Sequence, residues 1–301
     1  MMEPLVTIGI PTYDRPELLA RALGSAAKQT YPNIEVLVAD NGAFNESVAL
    51  VVASFKDVIP QLTYVRHRED IGALRNFAYL LAAAKGRYFM WLADDDEVSE
   101  NYVSSLVAML ESDPSAASAA GHWMLMEDED HGRVVPATSY PQGSPLARAL
   151  RFIWRSDDAF FYAVHRTDVL RQASFRGYRR PNRDVLWNWA YVYLLDVVLR
   201  GRVVMAPDMT VLFINHSYAR KTYAVRRRSV REVIARAIRR VNVHMLYWEK
   251  CAGQLDPLTM PLVVTTSILS LIYEGAIRNP TRALQRVGRS NRRPGSINRV
   301  K

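Results

Sequence analysis

A single cysteine, Cys251, in 301 residues leaves no internal disulfide open to this chain, and that usage fits a reducing compartment. The chain also lacks a basic stretch followed by a long apolar run at its start. Met1-Met2-Glu3-Pro4 leads directly into strand-like residues, so no secretory leader is expected and a cytoplasmic protein is. Long uncharged runs are nearly missing too. Pro257 to Tyr273 is uncharged over 17 residues, but Pro261 interrupts it and it carries several Thr and Ser. A full membrane span needs about 20 apolar residues. The run therefore reads either as a helix buried on the main domain or as one lying in the plane of a membrane surface. Surplus basic charge is absent from the front of the chain. Residues 1–219 hold 21 Lys and Arg against 26 Asp and Glu, whereas Arg220 to Lys301 holds 18 against 4, so the net +9 belongs to the tail. An acidic front argues against a nucleic-acid-binding protein, and a basic tail argues for an anionic membrane surface as partner.

What is present is a chain with 49% hydrophobic and 23% charged residues, enough for a sizeable core. Its first hundred residues alternate strand and helix patterns. Leu5–Ile10, Ile34–Ala39, Leu62–Arg66 and Tyr88–Leu92 read as strands; Pro16–Gln29 and Glu46–Lys56 read as helices. Leu74, Phe77, Ala78 and Leu81 mark one face of a third helix. Strands separated by helices imply right-handed crossovers and an α/β fold with a mainly parallel sheet. Further on, Ser99–Leu110 reads as a helix, Ala116–Met126 as a strand, Arg133–Ser144 as a loop or hairpin and Ala159–His165 as strand-like. Asp184–Leu199 reads as a helix, Val203–Ile214 as extended, Arg226–Trp248 as a basic helix, and Arg278–Lys301 as a basic, disordered end.

In such sheets ligands bind beyond the carboxyl ends of the strands. There the sequence puts Pro11-Thr12-Tyr13-Asp14-Arg15, Asp40-Asn41-Gly42, His67 to Gly72, and Ala93-Asp94-Asp95-Asp96-Glu97. One such cluster reads as a solvated turn; four in register read as a site. Consecutive carboxylates repel one another unless a cation sits among them. Mg²⁺ or Mn²⁺, held by one or two carboxylates with diphosphate oxygens and water completing the shell, would serve. The plain alternative is an acidic first turn of a helix.

The ordered set Ile10 to Arg15, Val38 to Gly42, Gly72 to Asn76 and Leu92 to Asp96 resembles the successive signatures of family 2 glycosyltransferases, over roughly residues 4–220. The resemblance implies a GT-A fold, Rossmann-like with helices flanking the sheet, and a nucleotide-sugar donor, often a UDP-sugar. It divides the chain into a catalytic domain, 1–220, with a nucleotide-binding half to residue 98 and an acceptor half beyond, and a helical basic extension, 221–301. Pro11, Thr12, Tyr13 and Arg15 would lie against the nucleotide, with Tyr13 stacking on the base. Asp40, beside Asn41, would accept a hydrogen bond from the base edge. Arg75 would reach the diphosphate or base, and Gly72 would give the backbone room. Asp94 and Asp96 match the D-x-D element around Asp95 and are the candidate metal ligands, Asp96 being the first choice. Ala93 stands where the family more usually has an aspartate, which leaves open which of the three holds metal. Asp184 matches the general base of an inverting transfer, although Arg183 replaces the usual preceding glutamate. His216 falls where some relatives place a third metal or phosphate contact. A glycan or lipid-linked hydroxyl acceptor follows, with its contacts in Trp123 to Gly177.

Two other classes remain on the sequence. A metal-dependent nucleotidyltransferase would show a Gly-rich phosphate loop after the first strand, and Pro11 to Pro16 has no glycine. A non-catalytic binding protein on the same fold would have no need of Asp40, Arg75 and the aspartate trio together. Trp187, Trp189, Tyr191 and Tyr193 tempt a sugar-stacking reading, but alternate positions spread around a helix, so most are expected in the core.

Overall fold

The computed structural model describes residues 3–42, 46–126, 132–135, 138–155, 158–175, 178–179, 186–187, 189–206, 210–215 and 230–273. Four βα steps build the front of the chain. They are β1 (Val6–Thr12), α1 (Pro16–Ala27), β2 (Ile34–Asp40), α2 (Glu46–Ser54), β3 (Leu62–Arg66), α3 (Ala73–Ala83) and β4 (Tyr88–Trp91). These agree with the expected elements to within a few residues. Beyond them come β5 (Asp96–Val98), α4 (Tyr102–Ser112), β6 (Ala116–Ala120), β7 (His122–Met126), β8 (Gly132–Val135) and α5 (Pro145–Arg155). A 3₁₀ turn at Ala159–Tyr162 leads to β9 (Val164–Arg166), α6 (Thr167–Gln172), β10 (Tyr178–Arg179), β11 (Leu186–Trp187), α7 (Trp189–Arg200), β12 (Arg202–Met205) and β13 (Val211–Asn215). The tail supplies α8 (Val230–Ala252) and, after a 3₁₀ turn, α9 (Met260–Ile272).

The large sheet has seven strands in the order β12-β6-β9-β4-β1-β2-β3, and β9 alone runs against its neighbours. The strands alternate as a two-sided buried sheet must. Val6, Ile8 and Ile10 of β1 join Tyr88, Met90 and Leu92 in one core, under α1, α2 and α4. Phe89 and Trp91 face a second core with α3, α5 and α7. Trp91 is its centre, stacked on Phe161 with centroids 4.5 Å apart and donating its indole N–H to the Phe77 carbonyl. The chain winds β1, β2, β3 to one side and returns to β4 on the other side of β1. The carboxyl ends of β1 and β4 therefore flank a topological switch point, where such sheets open a crevice.

Several elements differ from expectation for physical reasons. Ala116–Met126 is two strands in two sheets, because β7 turns away at Gly121 into a four-stranded sheet ordered β5-β13-β7-β8. A Cβ on Gly121 would lie 2.5 Å from the Thr210 carbonyl oxygen and 2.6 Å from the Tyr102 ring, so only glycine lets the backbones meet there. Val203–Ile214 divides in the same way between β12 and β13. Ala159–His165 is a 3₁₀ turn followed by a short strand. Arg133–Ser144 starts as a hairpin, β8 pairing with β7. The expected helix Asp184–Leu199 begins only at Trp189, after β11. The acidic stretch starts no helix: Asp96–Val98 pairs antiparallel with β13. Arg278–Lys301 lies outside the described residues. The tail helices are packed on the main body, since Val243, Tyr247, Cys251 and Val263 belong to the Trp91 core. Among the described residues, no helix is long and apolar enough to cross a membrane.

Candidate functional site

Side chains from the ends of β1, β2 and β4 and from the start of α3 meet at the switch point. The cleft is lined by Pro11, Thr12, Tyr13, Arg15, Asn41, Ala73, Asn76, Phe77, Ala93, Asp94 and Asp95. Thr12 ties the two strand ends together, donating its hydroxyl to Asp94 Oδ2 at 2.8 Å. Asp14 takes a positive φ of 55°, which short polar Asp tolerates, in the turn between Thr12 and Arg15. The Arg15 guanidinium then donates to Asp94 Oδ1 at 3.1 Å and lies 3.5 Å from Asp95. Tyr13 stands 50% exposed at the mouth, a free ring face beside the cleft.

The loops after β2 and β3 are laced together behind Asn41. Asn41 donates to Asp70 and accepts from the Ile71 backbone N–H, while the Gly72 N–H also donates to Asp70. Gly42 and Gly72 both take positive φ, and a Cβ on Gly42 would strike the Glu69 backbone at 2.5 Å. Asn76, buried at the start of α3, donates to the Ala39 carbonyl and bonds the His67 ring. Arg75 points to solvent on the same helix and is not in the cleft lining.

Asp40 is fully buried at the end of β2. Its Oδ2 accepts from the Tyr64 hydroxyl at 2.8 Å and lies 3.4 Å from Arg66 Nε, whereas its Oδ1 is sealed from solvent with no hydrogen-bond partner. A buried carboxylate oxygen without a donor costs about 1–3 kcal/mol, more for a charged group, and Asp40 lies behind the cleft wall rather than in its lining. Tyr64 and Arg66 reach it because β3 runs in register with β2, Val38 beside Tyr64 and Asp40 beside Arg66. Their alternation on one strand face was visible in the sequence, but the register was not.

The carboxylates keep distinct places. Burial pushes Asp94 up to about 6, against the pull of Arg15 and Thr12. Asp95 lines the cleft, partly exposed. Asp96 is buried at the head of β5, in register with Ile214 of β13. Tyr162 feels all three: burial first, then the negative field of Asp96, Asp95 and Asp94, raises its phenol far above the ordinary value. That field suits a cation. Mg²⁺ or Mn²⁺ asks for only one or two hard carboxylate oxygens from the protein when diphosphate and water complete its shell. Among the described residues no three His, Cys, Asp or Glu side chains gather around one point, so a protein-only cage is not what this rim offers. Asp184 and His216 lie outside the described residues. Trp189, five residues after Asp184, packs on cleft-lining Phe77 with centroids 5.4 Å apart. Trp189 and Tyr193 are core residues, Tyr193 stacked on Phe175 at 4.2 Å.

A larger cavity of about 580 Å³ opens at the other end of the sheet, lined by Arg148, Arg166, Arg200 and Arg202. Arg148 and Arg166 are committed to carbonyl oxygens at the C-terminal ends of α7 and α4, which carry partial negative charge. That cavity reads as structural.

The model of glycosyl transferase family 2 matches residues 7–173, more than half of the chain. The chain belongs to glycosyl transferase family 2. Among curated relatives of this transferase, the putative colanic acid biosynthesis glycosyl transferase WcaA of Escherichia coli is 30% identical over 150 residues, 49% of this chain and 52% of that protein. The GalNAc(5)-diNAcBac-PP-undecaprenol beta-1,3-glucosyltransferase of Campylobacter jejuni is 21% identical over 184 residues, 61% of this chain and 59% of that one. The chain thus spans little more than half the length of these relatives. S. aureus TarS 1–349 in complex with UDP superposes with a TM-score of 0.66 at 14% identity, covering 91% of this chain and 73% of that one. The chain accordingly has the GT-A fold.

Proposed function

We propose that the chain is an inverting glycosyltransferase that moves a sugar from a UDP-sugar to a hydroxyl of a growing glycan or lipid-linked acceptor at a membrane surface. The observation that carries the donor reading is the Thr12–Asp94–Arg15 cluster in one cleft with the exposed Tyr13 ring at its mouth. Tyr13 offers a face for the base, and the buried Asp40 Oδ1 would meet a uracil imide N–H once the wall over it opens. The UDP complex of TarS and the undecaprenol-linked acceptor named for the Campylobacter relative agree with this chemistry.

Asp94 commits both oxygens to Thr12 and Arg15. It is therefore assigned to hold Arg15 toward the donor, and the metal-ligand roles go to Asp96 and Asp95, with His216, two residues beyond Ile214, as a further ligand. Bound Mg²⁺ or Mn²⁺ would neutralise charge on the departing diphosphate. Arg15 and Arg75 are assigned to the diphosphate, Arg75 by turning inward from its exposed position. Asp184 would take the proton of the acceptor hydroxyl as that oxygen attacks the anomeric carbon from the face opposite the leaving group, which inverts the centre. The packing of Trp189 on Phe77 supports this, because it ties the segment after Asp184 to the wall of the donor cleft.

Asp184→Asn is the test. Calorimetry should find UDP-sugar binding in Mn²⁺ kept, and transfer should fall by roughly a hundredfold or more, the usual contribution of a general base. Unchanged transfer would remove Asp184 from the mechanism. A thermal-shift screen of nucleotide sugars with Mn²⁺ or EDTA names the donor: the right one stabilises the fold only with metal.

A further inference from the structure

Helix α9 is packed inside out. It has no charged residue, and the side it turns to the protein is Val263, Ser267 and Ser270, with the Ser270 hydroxyl donating to the Ile153 carbonyl of α5. Met260 packs on the core, but Leu262, Ile268, Leu269 and Ile272 face outward and are all exposed, and Leu258 in the turn before the helix is 87% exposed. A helix seated on its own domain in water would show the reverse order. On neighbouring α8, Ile234, Ile238, Val241 and Met245 are also exposed, spaced four, three and four residues apart along one stripe. At the C-terminal end of α9, Tyr273 stacks on Trp154 of α5 with centroids 5.4 Å apart, and both rings stay partly in solvent. Exposed apolar side chains gathered on two packed helices mark an interaction face.

The charge of the sequence that carries these helices decides the occupant. Arg220 to Lys301 holds 18 Lys and Arg against 4 Asp and Glu, and 13 of the 18 belong to the flanks 220–229 and 274–301, outside the described residues. A second copy of the chain would bring two strongly positive stretches together, which opposes association. An anionic bilayer meets both features, taking apolar side chains into the acyl boundary and basic ones among its headgroups. Trp and Tyr rings favour that same boundary. We infer that the outward faces of α9 and α8, with the Trp154–Tyr273 pair, form a membrane-seating surface for an anionic lipid leaflet. It lies on the tail helices and is built from residues that have no part in the donor cleft.

The inference rests on the reading of the enzyme as one that meets lipid-linked acceptors at a membrane, but the vesicle flotation that decides it contains neither donor nor acceptor, so each can fail alone. The full chain is floated with phosphatidylcholine vesicles with and without phosphatidylglycerol. Binding is expected to the anionic vesicles and to weaken with added salt. Leu262→Asp combined with Leu269→Asp should lower partitioning at least roughly tenfold, since two buried apolar side chains are replaced by charges of the wrong sign. The melting temperature and transfer to a soluble acceptor should stay unchanged. Ile272→Gln, at the last exposed position of the helix, gives the same direction if the double variant melts early. Three results would overturn the inference: no wild-type binding to either vesicle, equal binding by the folded variants, or a concentration-dependent dimer that the double substitution abolishes while vesicles go unbound.

Discussion

Asp94 carries three opposing influences on one carboxyl group. Burial favours the protonated form, while Arg15 and the Thr12 hydroxyl favour the ionised one, and burial wins, lifting the group from 3.8 to about 6. The native state therefore holds this proton more tightly than the unfolded chain does. That contribution to stability is complete below the ordinary value and is lost as the pH rises through about 6. Asp94→Asn keeps the shape and removes the ionisation. Without ligand, the variant should be more stable than wild type by about 1–2 kcal/mol at pH 8 and no more stable at pH 4. Thermal melts at the two pH values check this, and the same variant should bind UDP-sugar poorly because Arg15 loses its charged anchor. Residue types at this site were legible in the sequence, where Thr12, Arg15, Asp40 and the aspartates stand at strand ends. The pairing of Thr12 with Asp94, 82 positions apart, was not, because only the β1–β4 register brings them together. Asn76 belonged to a recognised motif, yet its bond to the Ala39 carbonyl shows only in the folded chain.

At the scale of elements, α8 is joined to α7 by a buried charge cluster. Asp196 is 1% exposed and receives Lys250, Arg200, Gln254 and the Ser174 backbone N–H. Burial alone would raise its carboxyl, but Lys250, the Ser174 N–H and Gln254 together hold it below the ordinary value. Asp196→Ala leaves the half-buried Lys250 ammonium without its carboxylate, so a loss of about 3 kcal/mol is expected, read as a lower urea midpoint. Proteolysis should then begin in the tail, since α8 and α9 lose a strut to the body. The βα steps of the first hundred residues were legible because short apolar runs ended by turn residues alternate with segments of 3.6-residue period. From Asp96 onward the pattern failed wherever one apolar run served two sheets, as at Gly121, and wherever a strand was as short as Asp96–Val98. A three-residue strand has too few positions to show a period.

At the scale of the whole molecule, two buried histidines stand outside the cleft lining. His165 sits within the central sheet between the Ser118 hydroxyl and the Phe161 carbonyl, and burial pushes it down to about 4. Burial, then Arg240, pushes His244 of α8 down to about 4 as well. A depressed histidine stabilises the fold above the ordinary 6.5, and that contribution is lost as pH falls toward 4, because the unfolded chain takes up protons the native one refuses. Urea midpoints should hold from pH 8 to 7 and then fall steeply between 6.5 and 4, by about 2–3 kcal/mol for each ring. His244→Gln, which replaces a ring whose Nδ1 has no partner, should flatten roughly half of that slope.

By itself the sequence determined the fold class, the order of the first four βα steps, the family and the residue types on the rim, because each is written in local periodicity and in short motifs at strand ends. The tertiary structure decided which rim residues touch, that Asp40 keeps an unpaired oxygen, and that the acidic stretch heads a strand. It also decided how the uncharged run 257–273 packs: α9 sits on the main body through Val263, Ser267 and Ser270 with Leu262 and Leu269 turned out, an orientation that hydropathy does not specify.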